Sequence, residues 1–407
     1  MMAVQVGTDL PALGSVDDLS TFCQEMFSSI PRSDQRRWAE VYTRGLISVP
    51  GRKSIRRISD YVVGWRADQC LQQFVNQSPW QWEPMRRNLA YQLTAAIRPR
   101  VWTVEEAVFP KNGDRSVGVT KQYSASWQRM LNCQLGLAVV LADEDVSCAV
   151  NWKLQLPSCW DGDQVRRSRA HVPTDVRHRP RWEYVLEALD EVIGWGVPLA
   201  PVVLDATQEL QVEPLLLGLE DRGLRYAVRV GERTPALQGP TRRTADTKRV
   251  PTVGELAASS TKLGQMTLTW RDQRNGESTT SRFSTITIPG GQPGAPVRIG
   301  PGHRYRPSRS LLTEWPAGRR VPASLWLNNV GTARLPELIN LVKARDRASA
   351  ELAGLSEEFG LRSFEGRSFR GWHHHVTLVS AAHLYRTLQR LDMQRNEDSP
   401  IELRPRA

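Results

Sequence analysis

Val101-Trp-Thr-Val-Glu-Glu-Ala-Val-Phe109 is where the chain changes character. Before it, apolar residues recur at helical spacing; within it, β-branched and aromatic residues dominate, which predicts a strand. Two more strands are expected at Asn132 to Ala142 and Val146 to Leu156, joined by a short Asp-Glu-Asp turn. A helix follows, with Trp182, Val185, Leu186, Leu189 and Ile193 on one apolar face and Gly194 and Gly196 at its end. Then come the short buried run Pro201-Val-Val-Leu-Asp205, a helix from about Val212 to Asp221 and a strand from Tyr226 to Val230. This order describes an α/β fold, a mixed sheet flanked by helices.

Working outward, residues 1–98 form a helical, basic N-terminal region in which Phe22, Met26 and Phe27, then Trp38, Val41 and Tyr42, mark apolar helix faces. Residues 99–231 are the first part of the core. Residues 232–322 are rich in Thr, Ser, Arg, Gly and Pro, with alternating strands at Met266 to Arg271 and Arg282 to Ile288, and form a β-rich insertion. Residues 323–407 complete the core with a strand at Ser324 to Leu327 and helices from about Leu335 to Phe359 and His375 to Leu391.

The chain has 407 residues and a formal net charge of +11, enough for two or three structural units and suited to a polyanionic partner, of which DNA is the leading candidate. An arginine-favouring composition with no such partner gives the same total. Arg52, Lys53, Arg56 and Arg57 form a basic turn whose role is either to meet DNA phosphates or to solvate a helix face. Arg242 to Arg249 is a second basic segment. Five scattered cysteines without a C-x-x-C pair argue against zinc and for a reducing, cytoplasmic setting. Neither a signal peptide nor a membrane-spanning run is expected.

RNase H-like enzymes gather two divalent metals from a carboxylate-bearing strand, a neighbouring strand ending in Asp and a late helix with an acidic residue. Glu105 and Glu106 on the first strand and Asp205 at the end of a later one are the candidates here. Carboxylates exposed at strand ends are common, and spacing alone leaves that reading open.

Val104 to Gly113, Ser116 to Tyr123 and Asn132 to Gly136 resemble the first catalytic block of a bacterial insertion-sequence DDE transposase family. Leu156-Pro-Ser-Cys-Trp-Asp161 resembles its Leu-Pro-x-x-Trp segment, and Glu365 to Leu378 its C-terminal block. The resemblance implies an RNase H-like core, Mg²⁺ or Mn²⁺ as cofactor, DNA as partner, a homodimer that joins two DNA ends, and no membrane. It puts the first catalytic carboxylate on Glu105, longer by a methylene than the family's Asp, the next acidic position on Glu106 and the second Asp on Asp205.

The family's third carboxylate, in the pattern Arg-Trp-x-Ile-Glu, falls on Ser349 of Arg345-Asp-Arg-Ala-Ser349, and its helix lysine falls on Ser356. Ala206-Thr-Gln-Glu-Leu210 replaces a glycine-rich turn after Asp205. Serine is a poor Mg²⁺ ligand, so Glu351 is the candidate replacement for the third carboxylate, against the alternative that it is a solvated helix residue. Three adjacent imidazoles at His373 to His375 do not close on one metal easily, while Arg367 and Arg370 beside them are candidate phosphate contacts. The expectation is a nucleoid-associated, transposase-like DNA-binding protein with cleavage and strand transfer weakened or lost. The alternative is a domesticated descendant whose acidic cleft serves another chemistry or ligand.

Overall fold

The structure is a computed structural model that describes residues 19–398 apart from 125, 210, 237–250, 260–264, 272–277, 289–296, 300–302, 306–307 and 331–334. The basic segment Arg242 to Arg249 and Leu210 therefore lie outside the described residues. The chain divides into two compact units: residues 1–98, 355–366 and 370–407, and residues 99–354 with 367–369. The boundary after residue 98 is where the sequence changes from helical to strand periodicity. The C-terminal segment, assigned from sequence to the core, contributes most of residues 355–407 to the first unit.

The first unit is helical: α1 (Leu19–Met26), α2 (Ser33–Ser48), α3 (Ile55–Ile58) running on into a wider π turn at Ser59–Val63, α4 (Asp68–Asn76) and α5 (Glu83–Ala96). Each long helix buries one apolar stripe, such as Leu89, Ala90 and Leu93 in α5. Gly45 on α2 has no room for a side chain, because a Cβ there would meet Ile58 Cγ2 at 2.4 Å.

The second unit is built on one ten-stranded sheet and holds a separate two-stranded one among its described residues. Its elements in chain order are β1 (Val101–Pro110), β2 (Thr120–Ser124), β3 (Arg129–Ala142), β4 (Ser147–Gln155), α6 (Gln164–Arg169), α7 (Arg181–Gly194), β5 (Val202–Asp205), α8 (Glu213–Asp221) and β6 (Tyr226–Arg229). There follow α9 (Val253–Ser259), β7 (Gln265–Arg271), β8 (Ser278–Thr287), β9 (Val297–Ile299), β10 (His303–Tyr305), β11 (Ser310–Pro316), β12 (Ser324–Asn328) and α10 (Leu335–Glu358), whose last residues from 355 on belong to the first unit, as does α11 (Phe369–Asp398) from residue 370 on. The order β2-β3-β1-β5-β6-β12-β11-β8-β7, with β4 also on β3, has β4, β3 and β1 antiparallel and β1, β5 and β6 parallel. This is the RNase H-like mixed sheet the sequence predicts.

Two features differ from the local pattern. Strands β7, β8 and β11, read as an insertion, lengthen the same sheet beyond β12, because β12 pairs with β6 on one side and β11 on the other. The hairpin strand β2 has no apolar run of its own and is fixed by its pairing with the start of β3.

Helix α10 positions the site. Leu338, Ile339 and Val342 pack on Val101, Val203, Ala227, Leu312 and Trp326 of the sheet. Continuing that stripe at steps of three and four brings residues 345 and 349 to the same side. Among the described residues no helix is long and apolar enough to cross a membrane, and all five cysteines are free.

Candidate functional site

Parallel pairing of Val104 with Leu204 sets Glu105 and Asp205 side by side on neighbouring strands, and Asp205 with Arg229 on the next. Side chains alternate along a strand, so Glu105 shares a face with Val101 and Thr103, the α10 face, while Glu106 points to the other. Asp205 and Arg229 lie with Val203 and Ala227 on the α10 face. The two adjacent glutamates thus go to opposite sides of the sheet.

Arg345 of α10 meets the first pair. Its Nη2 donates to Glu105 Oε2 at 2.9 Å, its Nε lies 2.9 Å from Glu105 Oε1 off the hydrogen-bond line, and its Nη1 is 3.8 Å from Asp205 Oδ2. Asp205 Oδ2 also takes Arg229 Nη1 at 3.4 Å. Its Oδ1 accepts from Thr207 N at 2.9 Å and Thr207 Oγ1 at 2.6 Å. The turn after Asp205, where the chain departs from the resembling family, therefore occupies the carboxylate itself.

Burial raises the Glu105 carboxyl to about 7 against the pull of Arg345. At Asp205 burial also raises the carboxyl, but Arg345, Thr207 and Arg229 outweigh it and hold it below the usual range. Arg345 itself is largely, not fully, covered, which disfavours its charge, yet Glu105 and Asp205 keep it a firm cation. On this face the two acids meet two guanidinium groups, so their negative charge is met from within the protein.

On the opposite face Arg181, at the start of α7, lies 4.0 Å from Glu106 Oε2 and donates to Glu209 Oε1 at 3.1 Å and to the Asp205 carbonyl at 3.1 Å. Burial raises the Glu106 carboxyl and Arg181 opposes it. Glu351 is bonded by Ser147 Oγ at the start of β4. Ser349, at the family's third carboxylate position, stands one helical turn beyond Arg345.

A divalent-metal centre needs several anionic oxygens converging on one point. Here Arg345 and Thr207 already hold the Glu105 and Asp205 oxygens, Glu106 is on the other face and Glu351 is on Ser147. Among the described residues no three His, Cys, Asp or Glu side chains are grouped to hold a metal ion. The residues present do not fit the two-metal centre that the resemblance implies.

In the helical unit the basic turn resolves into unlike members. Lys53 is buried and its Nζ donates to the Val49 carbonyl; burial, then Arg57, depress its charge. Arg52 pairs with Glu365 at 2.6 Å, and Arg57 Nη1 donates to its carbonyl at 3.3 Å. Arg56 is exposed, and next to it in the chain Tyr61, Trp65 and Arg66 are exposed as well. Nothing in the basic turn itself signals that aromatic component. Arg370 is exposed and reaches the Gln77 carbonyl at 3.3 Å, and Arg367, in the other unit, is exposed while its carbonyl accepts from Val117 N.

The three histidines are buried and bonded: His373 Nδ1 to Arg86 Nη2 at 3.0 Å, His374 to the Val75 and Trp80 carbonyls, His375 to Tyr42 OH at 2.9 Å and the Leu361 carbonyl. They hold α11 among the helices of this unit.

The residue that sequence reasoning missed is Arg345. An arginine on the apolar stripe of α10 requires a buried acid opposite it, and that requirement was available from the spacing. A family model described as DDE superfamily endonuclease matches residues 25–291 of the chain. No curated relative matches it. With that match covering the helical unit's first helices and the sheet from β1 to β8, and with both strand carboxylate positions occupied by acids, the chain belongs to the DDE superfamily endonucleases.

Proposed function

We propose that this protein is a DNA-binding member of its family in which metal-dependent strand cleavage is weakened or lost. Nucleases of this family are generally divalent-metal dependent and act on DNA. The observation that carries the reading is Arg345 lying across Glu105 and Asp205, with serine at position 349. A fixed guanidinium supplies positive charge to these carboxylates without a ligand position open to water or to a phosphodiester.

On this reading Arg56, Arg57, Arg66 and Arg370 contact phosphates, with Arg52 and Arg367 as further candidates, and Lys53 supports the turn from inside. The protein acts as a homodimer on the nucleoid, occupying DNA ends that an active relative would cut. The test pairs a DNA titration on the unmodified protein with an Mn²⁺ titration on it and on Asp205→Ala. Labelled duplex DNA is bound at low salt and released as salt rises. Mn²⁺ added in a calorimeter gives no heat that depends on Asp205. Asp205-dependent Mn²⁺ binding would restore the active reading, and failure to bind duplex would favour a cleft turned to other chemistry.

A further inference from the structure

The β2–β3 hairpin belongs to neither carboxylate network. Tyr123 and Met130 face one another across its antiparallel ladder, and both are about half exposed, at 51% and 53%. Lys121, two residues before Tyr123, shares that outward face, since side chains alternate along a strand. In the turn, with Gln128 in the left-handed region at φ 50°, the Arg129 guanidinium lies 5.1 Å from the centre of the Trp127 ring. Lys121 and Arg129 are exposed. From Arg115 to Ala142 the sequence holds no Asp or Glu.

The hairpin stands on a firm base. Arg166 of α6 donates from Nη2 to the Asp114 and Val119 carbonyls, both at 2.9 Å, and lies 4.2 Å over the Trp160 ring. Trp160 Nε1 donates to the Val119 carbonyl at 3.0 Å. Its exposed Tyr–Met pair fills no part of the core, so its folding role is limited to this cross-strand contact and the outer ring face is left open.

We propose that this hairpin contacts unpaired DNA. One base stacks on Tyr123 beside Met130, Lys121 on the same face holds a neighbouring phosphate, and Arg129, at the turn over Trp127, meets the strand as it passes the hairpin tip. An exposed ring with a cation on its own face suits a single strand, whose base faces are open in any sequence, whereas a duplex offers only edges and phosphates. A second copy of this chain is the less suitable occupant, because the hairpin has no acid to meet its partner's Lys121 and Arg129. The proposal rests on the reading that DNA is the partner.

The test uses the full chain, a blunt duplex, and the same duplex with a single-stranded tail carrying 2-aminopurine. The tailed probe binds about fivefold or more tightly than the blunt one, as expected for one stacked base, and its 2-aminopurine is quenched. Tyr123→Ala removes the preference and the quenching but leaves blunt-duplex affinity unchanged; Tyr123→Phe keeps all three. Equal binding of the two probes, or a tail preference that survives Tyr123→Ala, overturns the hairpin proposal while duplex binding keeps the DNA reading. Binding of neither probe overturns both. A halved mass of Tyr123→Ala in solution assigns the face to a second copy and overturns the proposal.

Discussion

Arg345 Nη2 stands 2.9 Å from Glu105 Oε2 on one side while its Nη1 stands 3.8 Å from Asp205 Oδ2 on the other. An arginine side chain from α10 thus links two strands at the two acids that the resemblance makes the catalytic carboxylates. The link has a structural consequence that can be measured apart from any activity. Removing the cation leaves Glu105 buried without its partner, and breaking a buried pair in this way destabilises by ~3–5 kcal/mol. Arg345→Met should show a loss of that order in urea denaturation, smaller at about pH 6 than at about pH 8 because a raised Glu105 carboxyl can escape by protonation. Adding Glu105→Gln to Arg345→Met should recover most of it, the coupling that a double-mutant cycle reads. An unchanged midpoint in Arg345→Met would mean that the pair is not formed.

Buried histidines set the pH response of the helical unit. Burial lowers His383 to about 4, and burial lowers His374 to about 3 although the Val75 and Trp80 carbonyls favour its charge. Both are neutral when folded, while the unfolded chain takes protons near the ordinary value of about 6.5. Their contribution is therefore present above about 6.5 and lost as pH falls from there toward about 4 and then about 3. Glu105, raised to about 7, acts in the opposite sense, so the informative quantity is a difference between variants. His383→Leu should narrow the fall in melting temperature between about pH 6.5 and 5. An identical fall in both proteins would show that His383 is charged when folded.

The exposed cations should be separable from the buried one by salt. For each duplex phosphate that a cation no longer neutralises, the slope of log affinity against log salt becomes shallower by about 0.9. Arg56→Ala and Arg66→Ala should each lower the slope by up to that amount. Lys53→Met should reduce stability and leave the slope unchanged, since its Nζ is turned to the Val49 carbonyl. Three variants with the unmodified slope would make this turn a solvated helix face.

Much of the fold was legible because it is written in local pattern. Val202 to Leu204 and Tyr226 to Val228 are short apolar runs buried on both faces, Val101 to Phe109 is an apolar strand interrupted by its two glutamates, and the α10 stripe repeats at three and four. Pairing across the sheet was not legible: nothing within β7, β8 or β11 says that they continue the sheet past β12. The positions of Glu105 and Asp205 were readable, but their state depends on Arg345, 240 residues beyond Glu105 in the chain. Grouping Glu106 with Glu105 overlooked the two-residue period of a strand, which sends neighbours to opposite faces. Glu351 has the right charge and the right helix but lies against Ser147.

Restoring the acids tests whether the scaffold still supports a metal centre. Glu105→Asp together with Ser349→Glu adds a carboxylate one turn from Arg345 and shortens the one it holds, so Arg345 can be drawn off the cleft. The double variant should bind Mn²⁺ in calorimetry where the unmodified protein does not, and Asp205→Ala should abolish the gain. Neither single change should suffice, because residues of one centre act together. No gain in the double variant would point to the Thr207 bonds on Asp205 as the stronger block.

On the proposed reading, the protein's own arginines close the cleft to metal-dependent cleavage. The measurement closest to it is nicking of a supercoiled plasmid in Mn²⁺, with the unmodified protein and Asp205→Ala compared at equal concentration and at a salt where both bind DNA. Equal, background-level nicking by the two is the expected result. Nicking by the unmodified protein that disappears in Asp205→Ala would contradict it and show that Glu105 and Asp205 leave Arg345 to work as metal ligands.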